Sequence, residues 1–109
     1  PFGSALCHAT MQSAYDAVFS REMGCTEAEW LGWLPRAVGA CPWQREGTSA
    51  RVVVGSGRLH LQWQVMPPRV LALIRLPVLR MQFRFEGLSA DERMHFMRHF
   101  DLLTQRGGG

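Results

Sequence analysis

The chain has 109 residues, of which 47% are hydrophobic and 19% charged. This composition is typical of one globular domain and is too apolar for a disordered chain. The formal net charge is +3, and every basic residue other than histidine is an arginine. No window reaches the roughly 18 uninterrupted apolar residues of a membrane-spanning helix, so we expect no membrane partner.

The domain is expected to occupy residues 11–106, with residues 1–10 as an N-terminal extension and residues 107–109 as a flexible glycine tail. Cys7, Cys25 and Cys41 are widely spaced and form no C-x-x-C motif. They are interpreted as free thiols of a reducing compartment, which favours a cytoplasmic location. Cys25 precedes a predicted helix, a position that could activate a thiol.

Two helices are predicted near the amino terminus. The first rests on apolar residues at three- and four-residue spacing, namely Ala14, Tyr15, Val18, Phe19 and Met23, and ends at Gly24. The second begins with a capping box formed by Thr26 and Glu29 and is ended or kinked by Pro35. Residues 39–49 contain proline, glycine and serine and are predicted to be a loop.

Strands are predicted in the middle of the chain. A β-branched run at residues 51–54 leads into the turn Gly55-Ser56-Gly57. Apolar and polar residues then alternate strictly over residues 58–65 and again over residues 79–86. This period of two is typical of strands with one buried and one open face, which favours an antiparallel sheet.

The segment between these strands, residues 69–76, is ambiguous because it is short, apolar and bounded by Pro68 and Pro77. A single strand with Val70, Ala72 and Ile74 turned inward is favoured, and a helix is the alternative. The last element is a helix that starts at a second capping box, Ser89 with Glu92. Its apolar stripe consists of Phe96, Met97, Phe100 and Leu103.

The predicted fold class is therefore α+β with two layers. An antiparallel sheet of three to four strands would carry two N-terminal helices and one C-terminal helix on one face. The other face would be open, polar and cationic.

This open face is the leading candidate for a functional site. Its predicted residues are Arg58, His60, Gln62, Gln64, Leu71, Leu73, Arg80, Gln82 and Arg84. An apolar patch ringed by polar groups often marks a protein contact, so a homodimer or a protein partner is expected. Nucleic acid is a weaker candidate, because the aromatic side chains on which bases stack fall on the inward positions.

Two alternative sites use other residues. An apolar-ligand pocket between the helices and the sheet would be lined by Tyr15, Trp30, Trp33, Trp63 and Arg93. A weak candidate for a metal site combines Glu92, His95 and His99, which lie three and four residues apart on the last helix. No catalytic motif is present, so we expect binding without catalysis and without a cofactor.

Overall fold

The computed structural model describes residues 15–108. Its elements in chain order are β1 (Val18–Met23), α1 (Glu27–Ala37), β2 (Trp43–Glu46), β3 (Ser49–Val54), β4 (Gly57–Leu71), β5 (Ile74–Glu86) and α2 (Ala90–Gly108). The α+β class is confirmed, but these residues form five strands rather than three or four, and two helices rather than three. The predicted extension at residues 1–10 lies outside the described residues.

The five strands form one antiparallel sheet in the order β1-β5-β4-β3-β2. Strands β2 to β5 follow one another as hairpins, and β1 pairs with β5, the last strand of the chain. At the β3–β4 turn, Gly57 has no room for a side chain, because a Cβ there would lie 2.3 Å from the Glu86 carbonyl oxygen. The predicted turn at residues 55–57 is confirmed.

The central hairpin, β4 with β5, has the predicted alternation of buried and open side chains. The inward residues are at most 4% exposed, and they are Leu59, Leu61, Trp63, Leu79, Met81, Phe83 and Phe85. Val65 departs from the pattern and is 63% exposed, since it lies beyond Gln62, the last β4 residue in register with β3. Both helices pack on the inward face, where Trp30 contacts Trp63 and Phe100 contacts Phe83.

The prediction of a first helix is wrong, because Val18–Met23 is strand β1. Exposed and half-buried residues alternate along it. Apolar residues at this spacing fit a helix as well as a strand, and such short segments are decided by tertiary packing. Phe19 stacks on Phe83 with ring centroids 4.6 Å apart, a contact that β1 makes as the neighbour of β5.

The predicted loop at residues 39–49 contains strand β2, so this prediction is also corrected. Its four residues are mostly polar and lie between Pro42 and Gly47, so no apolar alternation marks them. Pairing with β3 holds the strand in place, with Trp43 opposite Val52.

Residues 69–76 are neither one strand nor a helix. The chain reverses at Ala72 and Leu73, so the segment is the end of β4 and the start of β5. Ile74 is paired with Leu71 and lies on the same side of the hairpin, not on the opposite side as predicted. The turn escaped prediction because Ala72 adopts a left-handed φ of 54°, a conformation usually occupied by glycine or asparagine.

The two remaining helix predictions are confirmed. Thr26 and Glu29 form the capping box of α1, which continues past Pro35 to Ala37. Ser89 and Glu92 exchange the same pair of bonds at the start of α2. This helix runs to Gly108, beyond its predicted end at residue 106. Within the described chain, neither helix has the length and apolar composition needed to span a membrane.

Phe100 is expected to be essential for stability. It is fully buried and contacts Trp30, Phe83 and Phe96. Phe100→Ala is expected to lower the free energy of unfolding by about 3–5 kcal/mol, because it removes apolar burial and leaves a cavity. Urea denaturation followed by tryptophan fluorescence measures this loss. Leu102→Ala, at a 61% exposed position of the same helix, is the control and should change it by no more than about 0.5 kcal/mol. Equal losses in the two variants would contradict the packing described.

Candidate functional site

The side of the sheet that the helices leave uncovered is called the open face below. Its residues form rows across the strands, because directly paired residues of antiparallel strands point to the same side. One row, from β1 to β2, consists of Ser20, Gln82, Gln62, Ser49 and Glu46. The next row consists of Val18, Arg84, His60, Arg51 and Gln44. Hydroxyl and amide groups therefore lie beside a row that contains two arginines and a histidine.

These two rows line an open depression of about 980 Å³. Gln62 and Gln82 are paired at its centre and exposed. Each amide offers two donors and an acceptor to a partner. The depression is therefore able to form many hydrogen bonds.

Glu86 lies within ion-pair distance of three basic residues at one end of the open face. It accepts a hydrogen bond from Arg84 at 2.7 Å and lies 3.4 Å from His60 Nε2 and 3.8 Å from Arg58 Nε. Such exposed pairs contribute about 0–1 kcal/mol each to stability. Their main effect is to neutralise part of the positive charge of this face.

Glu22 acts similarly at the other end. Its two carboxylate oxygens lie 3.5 Å from Arg69 and 3.6 Å from Arg80. Among the arginines of the open face, Arg51 has no ion pair within residues 15–108. The face is therefore less cationic than the arginine count of β4 and β5 indicates.

The open face contains seven of the nine residues predicted for it, namely Arg58, His60, Gln62, Gln64, Arg80, Gln82 and Arg84. Leu71 and Leu73 lie elsewhere, at the far end of the β4–β5 hairpin. The prediction omitted eight other residues described above on this face, which are Val18, Ser20, Glu22, Gln44, Glu46, Ser49, Arg51 and Glu86. Five of them belong to β1 and β2, which were predicted as helix and loop.

The residues of the predicted apolar-ligand pocket are mostly core residues. Trp30 and Trp63 are at most 2% exposed and meet edge to face, with ring centroids 5.5 Å apart. The indole of Trp63 donates a hydrogen bond to Glu27 at 2.9 Å. None of the five predicted residues lines the depression or the second cavity described below. A ligand would have to displace packed rings, and the ligand-pocket alternative stays an untested prediction.

Arg93 and Tyr15 connect β1 and its preceding residues to α2. Arg93 donates to the carbonyl oxygens of Tyr15 at 2.8 Å and Leu88 at 3.0 Å. Tyr15 donates to Asp101 at 2.5 Å, and Arg21 donates to the other carboxylate oxygen at 2.7 Å. These contacts fix the first strand against the last helix, which is a structural role.

A groove of about 690 Å³ lies between α2, the end of α1 and the β3–β4 turn, and it contains the three candidate metal ligands. Glu92 serves as a helix cap, and His99 Nε2 lies 3.0 Å from the Arg36 carbonyl oxygen. No group of three potential ligands gathers at one point within residues 15–108. The structure gives Glu92 and His99 other partners, and the metal-site candidate stays an untested prediction.

The described cysteines are poor candidates for nucleophiles. Cys25 is 1% exposed, and burial, with the nearby Glu29 carboxylate, raises its pKa to about 11. Burial also raises the pKa of Cys41. Both thiols are therefore protonated at neutral pH and unsuited to attack.

Comparison of the chain with protein-family models, curated proteins and solved structures found no match.

Tyr15 provides a direct test of the link between the first strand and α2, because it is the only tyrosine of the chain. Burial, followed by the hydrogen bond to Asp101 and the charge of that carboxylate, raises its pKa from 10.0 to about 12. The raised pKa favours the neutral, folded form, so the associated stability is present below the unfolded-state pKa of 10.0 and lost as pH rises to about 12.

Ultraviolet titration of phenolate absorbance measures this pKa. Asp101→Asn should lower it, though not fully to 10.0, because burial persists. Asp91→Asn, at an exposed position of the first turn of α2, should leave it unchanged. A wild-type tyrosine that titrates at its ordinary value would contradict the described contacts.

Proposed function

We propose that this chain is a non-enzymatic binding domain whose open face contacts protein, either a second copy of the chain or another protein. The observation that carries the proposal is the uncovered side of a five-stranded sheet with a polar depression of about 980 Å³. The buried core cluster lies on the other side of the sheet, which leaves the side chains of the open face available for a partner.

The chemistry of the open face supports a protein partner. Surfaces of non-obligate complexes are about as polar as the rest of a protein surface and rely on matched hydrogen bonds and charges. Gln62 and Gln82 at the centre supply amide donors and acceptors, and Arg51 supplies a cation without an ion pair within the described chain. An acidic or amide-rich partner surface would complement these groups.

The size of the open face favours a transient complex. Five strands at about 4.8 Å spacing and about six residues at 3.3 Å rise give an area of roughly 20 by 24 Å. Stable interfaces bury about 800 Å² on each partner, which is more than this outline. Binding through this face alone is therefore expected to be weak and reversible.

Nucleic acid remains the third candidate. Glu22, Glu46 and Glu86 reduce the positive charge of the face, and the aromatic rings of Phe83 and Phe85 are buried on the inward side. Arginines without stacking platforms provide only weak, salt-sensitive binding. We therefore rank nucleic acid below protein as the partner proposed for the open face.

Sedimentation velocity at protein concentrations up to about 1 mM tests self-association. A dimer with a Kd of about 1 mM has a binding free energy of about 4 kcal/mol, so this range detects even weak dimers. We expect a concentration-dependent dimer that Gln62→Lys weakens by at least about tenfold, because the lysine would bury an unpaired charge. Ser56→Lys, at the exposed β3–β4 turn, is the control and should leave the dimer intact.

Contact of the open face with a different protein is tested by a photo-crosslinking residue at position 62. Position 98, on the exposed side of α2, is the control. In cells that produce the protein natively, crosslinks to protein are expected from position 62 and not from position 98. A monomer at every concentration, together with no crosslinks above the control, would contradict the proposed function.

A further inference from the structure

The far end of the central hairpin, residues 65–78, is called the arm below. Strand β4 is in register with β3 only up to Gln62, and β5 is in register with β1 only from Leu79 onward. Beyond these residues the two strands pair with each other alone. The arm is therefore a two-stranded ribbon that extends past the sheet.

The arm is unusually apolar for an exposed ribbon. It carries six of the nine large hydrophobic side chains that are exposed in the described chain, namely Val65, Val70, Leu71, Leu73, Ile74 and Leu76. Leu73 at the tip is 99% exposed and contributes nothing to the core. Contiguous apolar surface of this kind marks a site of contact with protein or membrane.

The turn at the tip is itself apolar. Exposed hairpin turns normally use asparagine, aspartate or glycine, which tolerate a positive φ. Here Ala72 takes that conformation with φ 54° and is followed by Leu73. Four consecutive apolar residues, 71–74, therefore form the end of the ribbon at the expense of a strained backbone.

The charged residues of the arm itself are all positive. Arg69 and Arg75 stand just behind it on the two strands, and no acidic residue occurs between Glu46 and Glu86. Arg69 has a long contact with Glu22 at 3.5 Å, and Arg75 has no ion pair within residues 15–108. An apolar tip flanked by two arginines complements an anionic surface that has an apolar layer beneath it.

A second copy of the arm is a poor partner by comparison. Pro67, Pro68 and Pro77 lack the N–H groups that an added strand would need. Two arms side by side would also bring Arg69 and Arg75 of each copy together, and like charges oppose association. The arm is thus better suited to a lipid surface than to strand exchange.

We propose that the arm binds the surface of a membrane that contains anionic phospholipids. This contact needs no membrane-spanning helix, and it replaces the expectation of no membrane partner, which was drawn from the lack of such a helix. Leu71, Leu73 and Ile74 enter the interface between headgroups and acyl chains, while Arg69 and Arg75 contact the headgroup phosphates. Two to three residues at 3.3 Å rise separate the arginines from the tip, a depth of roughly 7–10 Å. Elements that lie in the bilayer interface enter to about 5–10 Å. This site is separate from the open face and does not depend on the function proposed for it.

Cosedimentation of the full chain with lipid vesicles tests the proposal. One set of vesicles contains phosphatidylcholine alone, and the other contains phosphatidylcholine with phosphatidylglycerol, both at about 0.15 M salt. We expect binding to the anionic vesicles to be at least about tenfold stronger, given two cations at the surface. Leu73→Gln should weaken it about tenfold and Arg75→Gln about fivefold.

The controls are Leu102→Gln and Arg98→Gln on the exposed side of α2, which should bind as the wild type does. Since Leu73 is almost fully exposed, its replacement should not alter the thermal unfolding temperature, which circular dichroism checks. Absence of binding to anionic vesicles would overturn the proposal, as would equal losses in the arm and control variants. Loss of self-association in Leu73→Gln, without any vesicle binding, would assign the arm to protein contact and also overturn it.

Discussion

The aromatic contacts around Phe83 hold the two layers of this protein together. Phe83 is 1% exposed, stacks on Phe19 of β1 and meets Phe100 of α2 edge to face. Phe100 in turn contacts Trp30 of α1, which contacts Trp63 of β4. Each such pair adds about 0.5–1.5 kcal/mol beyond its apolar burial. This chain of rings links three strands and both helices, and strand pairing adds β3 beside β4 and β2 beside β3.

The same contacts determine which surfaces are left free. A strand turns successive side chains to opposite sides, so burying the rings of β4 and β5 beneath the helices places arginine, glutamine and histidine on the open face. The helices cover only the part of the hairpin that pairs with β1 and β3. The arm has no second layer, and an isolated two-stranded ribbon is marginally stable in water. Burial of its exposed apolar side chains against a partner would therefore stabilise the arm.

The sequence predicts the parts of the fold that local rules determine. The alternation in β4 and β5 and the capping boxes at Thr26 and Ser89 specify their elements directly. Seven residues of the open face were found in this way, since their strands were recognised. Strand β1 was missed because its apolar spacing also fits a helix, and only the contact of Phe19 with Phe83 decides between them.

Other features could not be read from the sequence because they depend on tertiary pairing. Strand β2 is short and polar, and its pairing with β3 holds it in the sheet. The arm could not be predicted because its turn, at Ala72 and Leu73, lacks the usual turn residues. Ion pairs such as Glu22 with Arg80 join residues distant in the chain. These contacts make the open face less cationic than the composition indicates.

Neighbouring residues of β4 turn their side chains to opposite sides of the sheet, and cysteine labelling measures this orientation. In a chain whose native cysteines are replaced, Gln62→Cys and Leu61→Cys place a thiol on the open and buried sides of the sheet. A maleimide reagent under native conditions should modify the thiol at position 62 rapidly and the thiol at position 61 only after unfolding. Equal labelling of the two folded variants, or faster labelling at position 61, would show that the open and buried sides of the sheet are assigned wrongly.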